Sequence, residues 1–105
     1  MATYCAAVEM AITGALIKSR GFSDQLEQLV PGIWALKLDN TLAPSEFVVS
    51  ATPWQVLGPN HHSASVWKVL NPPPPRPPGM YIVVALVRDG VLTNMNFDVI
   101  VNTLK

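Results

Sequence analysis

Residues 71–79, "NPPPPRPPG", contain six prolines in nine positions, between the apolar runs "SVWKVL" and "MYIVVALV". Proline has no backbone N–H, so this segment can join neither the interior of a helix nor the middle of a sheet. In polyproline II geometry, Pro72–Pro78 would span about 22 Å, whereas neighbouring strands lie about 4.8 Å apart. We therefore expect a stiff strut that runs the length of a sheet or out to a neighbouring subunit, unless an Asn-Pro or Pro-Pro bond is cis and folds the segment back.

The length of 105 residues predicts a single domain, residues 1–105, with one modest hydrophobic core. Half of the residues are apolar and 13% are charged, against roughly 25% charged in typical soluble proteins. A surface with so few charges leaves some apolar area exposed. We expect that area to contact something other than water.

Charge and cysteine content exclude several classes of protein. Seven Lys and Arg balance seven Asp and Glu, so the chain lacks the positive field that nucleic-acid binding needs. The one cysteine, Cys5, cannot form an intramolecular disulfide, which favours a reducing compartment. We expect Cys5 to be a small buried side chain.

The apolar N-terminal stretch resembles neither a signal peptide nor a membrane span. It lacks a positively charged start, carries Glu9 and is shorter than the roughly 20 residues a membrane span needs. These features predict a protein that lies in the cytoplasm or within a virion or other particle, without a recognisable signal peptide.

Helical spacing predicts a first helix at Ala2–Arg20. Tyr4, Val8, Ile12 and Leu16 recur at that spacing, and Gly21 follows where a helix end belongs. Met10 and Ile17 would lie on a second apolar face that another copy of the chain would cover. Ser23 would begin a short second helix through Leu29, which Pro31-Gly32 ends.

Short runs rich in branched and aromatic residues predict strands at 33–38, 46–51, 65–70 and 81–87. Asp89-Gly90 is a two-residue hairpin signal before "VLT". Residues 97–104 alternate as a strand does, although Phe97, Ile100, Val101 and Leu104 also fit a helix. The order predicts an α+β fold, with the N-terminal helix and the short second helix packed on a mainly antiparallel sheet of about five strands.

No pattern of chemistry-bearing residues predicts an enzyme. His61 and His62 have no cysteine or carboxylate near them in sequence, so we expect no metal site. The carboxylates are scattered without a close pair, and no phosphate-binding or dinucleotide-binding glycine motif is present. We expect no catalytic residues and no cofactor.

The aromatic residues and the prolines are the best candidates for a recognition surface. Trp34 and Trp67 have Lys37 and Lys68 nearby, as in single-strand binders, but the neutral charge favours a core or protein-interface role. The candidate interface residues are Met10, Ile17, Trp54, Trp67, Pro72, Pro73, Pro74, Pro75, Arg76, Pro77 and Pro78.

The sequence therefore predicts a non-enzymatic structural or assembly subunit. It would work as a homo-oligomer, or with other protein subunits in a larger particle such as a virus or phage, without nucleic acid or a membrane span. The alternative is a small module that binds a lipid or another apolar ligand. A third hypothesis is a protein whose proline segment is read by a polyproline-binding domain.

Overall fold

Two antiparallel β-sheets pack face to face in the computed structural model, which describes residues 3–11, 14–54 and 61–104. In chain order the elements are β1 (Thr3–Ala11), β2 (Gly14–Arg20), β3 (Phe22–Val30), β4 (Ile33–Leu38), a 3-10 turn (Pro44–Glu46), β5 (Phe47–Pro53), β6 (His62–Leu70), β7 (Met80–Arg88), β8 (Val91–Leu92) and β9 (Phe97–Thr103). Sheet A has the strand order β2-β1-β9-β5. Sheet B has the order β3-β4-β7-β6, with β8 paired to β7.

The predicted α+β fold is wrong, because the N-terminal segment forms strands of sheet A. β1 and β2 pair antiparallel from Cys5 opposite Arg20 to Ala11 opposite Gly14. Apolar side chains four residues apart, such as Tyr4 and Val8, fit a helix but equally fit every second position of a strand. Ala6 and Val8 are buried, whereas Thr3 and Glu9 on the other face are exposed. Ile12 and the side chain of Leu16 lie outside the described part of the chain.

The predicted helix at 23–29 is also wrong, because the segment lies within β3. β3 pairs with β4 from Phe22 opposite Leu38 to Val30 opposite Ile33, with irregular register on the way. Gln, Leu and Glu, which make up most of "SDQLEQL", favour a helix by intrinsic propensity. Pairing with β4 and burial of Phe22 against the core override that weak preference.

The strands predicted later in the chain are confirmed. "IWALKL" is β4, and the other runs form β5, β6 and β7 with small changes at their ends. Asp89 and Gly90 both have positive φ, 51° and 83°, as the two-residue turn between β7 and β8 requires. The alternation at 97–104 is that of a strand: Phe97, Val99 and Val101 are fully buried and Ile100 is exposed.

The core lies between the sheets and draws on both. Its buried members are Ala6, Val8, Phe22, Trp34, Leu36, Leu38, Phe47, Met80, Ile82, Val84, Leu86, Phe97, Val99 and Val101. Every second residue of β4, β7 and β9 contributes, as expected for strands with one inward face.

Lys68 closes the corner where the edge strands β5 and β6 meet. Its Nζ donates to the carbonyls of Pro44 and Phe47 at 2.6 and 2.7 Å and lies 4.3 Å from the centre of the Phe47 ring. An inward-pointing lysine on an edge strand also hinders the addition of another strand. Lys68, which the sequence suggested as a basic neighbour of Trp67 on a recognition surface, is therefore held in the corner between β5 and β6.

The proline segment does not form the predicted strut; it closes a hairpin between β6 and β7. Leu70 pairs with Met80, and the Asn71 N–H donates to the Gly79 carbonyl at 2.7 Å. The Gly79 N–H in turn donates to Asn71 Oδ1 at 2.9 Å, and the Pro74–Pro75 peptide is cis. The expected strut was an extended rod, whereas the segment turns back within its own length, which is the exception that the sequence left open. We call residues 71–79 the proline loop.

Asn94, between β8 and β9, joins three parts of sheet B. Its Oδ1 accepts hydrogen bonds from the Gly32 N–H at 2.7 Å, from Trp34 Nε1 at 3.2 Å and from Gln28 Nε2 at 3.4 Å. Trp34 is a buried core residue, so its indole N–H depends on this acceptor.

We expect Asn94→Ala to lower the free energy of unfolding by roughly 1 to 3 kcal/mol, because buried donors lose their acceptor. Denaturant unfolding measures this change. Asn102→Ala is the matched control, since the hydrogen bond that Asn102 Oδ1 accepts from the Thr3 hydroxyl is exposed to water. Equal losses in the two variants would show that Asn94 does not hold sheet B.

Candidate functional site

Most of the described residues on the outer face of sheet B are apolar, and its polar members include Glu27, Lys37, Ser63 and Ser65. Strand register places Ala35 and Trp67 on either side of Val83, and Ile33 opposite Ala85. The apolar residues of this face are Leu29, Val30, Ile33, Ala35, Trp67, Val69, Tyr81, Val83, Ala85, Val87 and Leu92. Ala35, Tyr81 and Val83 form a second hydrophobic cluster, separate from the core.

The outer face of sheet A has a different composition. Its residues include Thr3, Glu9, Lys18, Ser50, Thr52, Asp98 and Asn102, with Val48 and Ile100 as exposed apolar members. A sheet face that contacts water is normally polar in this way. The asymmetry between the two faces makes sheet B the candidate binding surface.

The proline loop folds over one end of this face and bounds a groove of about 200 Å³. The groove is lined by Leu29, Ala35, Trp67, Val69, Pro72, Arg76, Tyr81 and Val83. Tyr81 Oη donates to the carbonyl of Pro77 at 2.9 Å, which attaches the loop to β7. The Tyr81 hydroxyl in the groove therefore already has a hydrogen-bond partner.

Arg76 attaches the other side of the loop to β3. Its Nη2 and Nε donate to the two carboxylate oxygens of Glu27, at 2.6 Å to Oε1 and 3.0 Å to Oε2. The hydrogen bond from Arg76 lowers the pKa of Glu27 from its ordinary value, and Glu27 raises the pKa of Arg76. Water reaches both side chains, so the pair positions the loop and adds little stability.

Two large apolar side chains remain accessible around the groove. Trp67 is 43% exposed and Leu29 is 39% exposed, at β6 and β3 on opposite sides of the buried cluster. The described lining has no histidine, cysteine or carboxylate that could supply nucleophilic or acid-base chemistry. The arrangement is suited to binding an apolar surface.

The predicted interface residues separate into three places. Trp67, Pro72 and Arg76 meet at the groove, and Pro73, Pro74, Pro75, Pro77 and Pro78 are exposed on the proline loop beside it. Trp54 lies at another cleft, where its Nε1 donates to Asp98 Oδ1 at 2.9 Å.

Met10 and Ile17 have no second helix face to occupy, because the helix is absent. Both side chains are partly buried against the core. The helix face on which the prediction placed them does not exist, and a role of either residue in an interface stays a prediction.

Sequence reasoning missed Leu29, Tyr81 and Val83 as site residues. The signal was present in "MYIVVALV", which is apolar at successive positions and is therefore typical of a strand covered on both faces. Leu29 had been placed in a helix, so its face could not be assigned.

The other sequence candidates do not form a site in the described residues. No group of three or more His, Cys, Asp and Glu is arranged to hold a metal ion there. Cys5 is half-buried on β1, and Trp34 is in the core while Lys68 is held at the corner. The aromatic and basic surface that a single-strand binder would need is therefore not assembled from these residues.

The hairpin geometry also weakens the polyproline-ligand hypothesis. Domains of that type read an extended proline-rich segment. Here Asn71 and Gly79 are hydrogen-bonded to each other, and Arg76 is engaged with Glu27.

Among the described residues, no helix has the length and apolar character to cross a membrane. Comparisons of the chain with protein-family models, with characterised proteins and with solved structures give no significant match.

Proposed function

We propose that the protein is a non-enzymatic assembly subunit that pairs with a second copy through the outer face of sheet B. The observation that carries this proposal is the set of exposed apolar side chains around the buried cluster of Ala35, Tyr81 and Val83. These side chains are Leu29 (39% exposed), Val30 (45%), Trp67 (43%) and Leu92 (43%). Burial of further apolar area there is favourable by about 25 cal/mol per Å².

The shape of the face supports another sheet as its cover. Sheets pack on sheets at a separation of about 10 Å when both inner faces are apolar. The accessible Trp67 and Leu29 lie at the sides of the groove, where they can contact a partner first. Exposed tryptophans are frequent anchors of protein interfaces.

Charge supports a second copy as the partner. Glu27 and Arg76 neutralise each other within one chain, and the formal net charge of the chain is zero. Two copies therefore meet without net repulsion, whereas a strongly acidic or basic partner would gain little by electrostatic attraction.

The apolar-ligand alternative has weaker support at this face. Pockets for drug-sized ligands generally enclose about 300 to 1,000 Å³. The groove beside the proline loop, at about 200 Å³, is smaller than that range and already contains Pro72 and Arg76 in its wall.

We expect the wild-type protein to have twice the chain mass of 11.4 kDa in native mass spectrometry and sedimentation. Trp67→Glu introduces a charge into the proposed interface and should weaken pairing by roughly 30-fold or more, as loss of an interface anchor does. Far-ultraviolet circular dichroism checks that the variant keeps its strands.

Ile100→Glu is the matched control, because Ile100 is also 43% exposed but lies on the outer face of sheet A. It should leave pairing unchanged. A monomeric wild-type protein, or equal pairing by Trp67→Glu and wild type, contradicts the proposal. A monomer carrying an extra few hundred daltons would instead support the ligand alternative.

A further inference from the structure

We infer that the proline loop of each copy packs on an apolar patch at the opposite end of its partner's sheet B, so that the strands of the two copies run in opposite directions. This inference rests on the proposed pairing through the outer face of sheet B and specifies how the two faces meet. The patch consists of Val30, Ile33, Val87 and Leu92, and we call it the end patch.

The proline loop stands over one end of the outer face of sheet B. It joins Leu70 of β6 to Met80 of β7, and Arg76 reaches across the face to Glu27 on the edge strand β3. Five of its six prolines are exposed, so the loop presents apolar side chains to a partner. Arg76, the charged residue of the loop, is neutralised by Glu27, so the loop brings no net charge to an apolar surface.

The end patch lies at the opposite end of the same face. The loop is attached at Tyr81, and the distance from there to Val87 along β7 is about 20 Å at roughly 3.3 Å per residue. Leu92 pairs with Val87, and Val30 pairs with Ile33. Leu92 is 43% exposed and Val30 is 45% exposed, so both can contact another molecule.

The apolar side chains at this end are on the side of the face where β3 lies. The β6 side of the same end carries Ser63 and Ser65, which are both exposed. The proline loop also reaches toward β3, through the contact of Arg76 with Glu27. The loop and the end patch therefore lie on the same side of the face at opposite ends.

The symmetry of a pair decides which end each loop meets. When two identical faces pack together, the twofold axis lies between the faces and parallel to them. An axis along the strands would bring both loops to the same end, where they would hold the two sheets apart. An axis perpendicular to the strands places each loop over the opposite end of the partner and keeps it on the β3 side, where the end patch lies.

The face has the size that a stable pair needs. β6 and β7 have nine residues each, and sheet B has four main strands. At about 3.3 Å per residue and about 4.8 Å between strands, the face outlines roughly 600 Å², the same order as the about 800 Å² that each partner buries in a standard interface. The contact of loop and end patch occurs twice in the pair and adds to this area.

Cross-linking of single-cysteine variants tests the inference in the full-length protein. Cys5→Ser removes the native thiol, and Pro74→Cys or Leu92→Cys is then introduced into separate samples. After the two variants are mixed and allowed to exchange, a short bis-maleimide should link Pro74→Cys copies to Leu92→Cys copies. Neither variant alone should give a linked pair, because the axis perpendicular to the strands keeps like positions apart.

Ile100→Cys is the matched control, because Ile100 is 43% exposed, as Leu92 is, but lies on the outer face of sheet A. It should not link to Pro74→Cys. Circular dichroism checks that each variant keeps its strands, and Pro73→Cys, at another exposed position of the loop, replaces Pro74→Cys if that variant does not fold.

The outcomes separate the orientation of the pair from pairing itself. A dimer in sedimentation that gives no mixed link, a link in Leu92→Cys alone, or equal linking by Ile100→Cys overturns the inference and leaves pairing intact. A monomeric wild-type protein overturns the pairing proposal, and the inference fails with it.

Discussion

Phe97→Ala should lower the free energy of unfolding by about 3 to 5 kcal/mol, the range for deletion of a large core side chain. Phe97 is fully buried at the start of β9, the strand that pairs with both β1 and β5 in the middle of sheet A. A protein of ordinary stability has only about 5 to 15 kcal/mol in total. Urea denaturation followed by circular dichroism measures the change.

Ile100→Ala tests whether the large effect depends on the strand face. Ile100 is in the same strand, but its side chain is 43% exposed on the outer face of sheet A. Its truncation should cost about 0.5 kcal/mol or less, as at other surface positions. In a helix, Phe97 and Ile100 would share a face, so comparable losses from the two truncations would contradict the β9 assignment.

A strand was predicted correctly where the apolar residues of a segment fit the repeat of a strand and do not fit the repeat of a helix. β4 and β7 are short runs of branched and aromatic residues between turn residues, which only a strand fits well. β1 is rich in alanine, and its Tyr4 and Val8 satisfy both a helix and a strand. The choice between them is made by pairing with β2 and β9, which local sequence does not encode.

The same limit explains the partial prediction of the groove. Trp67, Pro72 and Arg76 were identified by residue type, because exposed tryptophan and proline-rich segments are frequent in interfaces. Val83 became a site residue only through its register opposite Trp67, and Leu29 only through its place in the groove lining. The contact between Arg76 and Glu27 joins residues 49 positions apart and requires the hairpin that the stiff-rod prediction did not include.

Among Gly→Ala substitutions in the turns of sheet B, Gly32→Ala should lower the free energy of unfolding most. Gly32 has a φ of +90°, and an added Cβ would lie 2.7 Å from the backbone nitrogen of Thr93. Positive φ costs a non-glycine residue about 1 to 2 kcal/mol, and forced overpacking costs about 1 to 3 kcal/mol more. Gly32 also donates to Asn94 and accepts from the Leu86 N–H, so the backbone there cannot move without breaking these bonds.

Gly90→Ala measures the cost of the positive φ without the cost of overpacking. Gly90 has a similar φ of +83°, but an added Cβ would meet no atom within 4 Å. It should therefore lose only the conformational part, about 1 to 2 kcal/mol, in thermal or urea unfolding. The difference between the variants measures how tightly the β8–β9 segment is packed on the turn at Gly32. If Gly32→Ala costs no more than Gly90→Ala, that segment is free to shift, and the Asn94 contacts do not fix this end of sheet B.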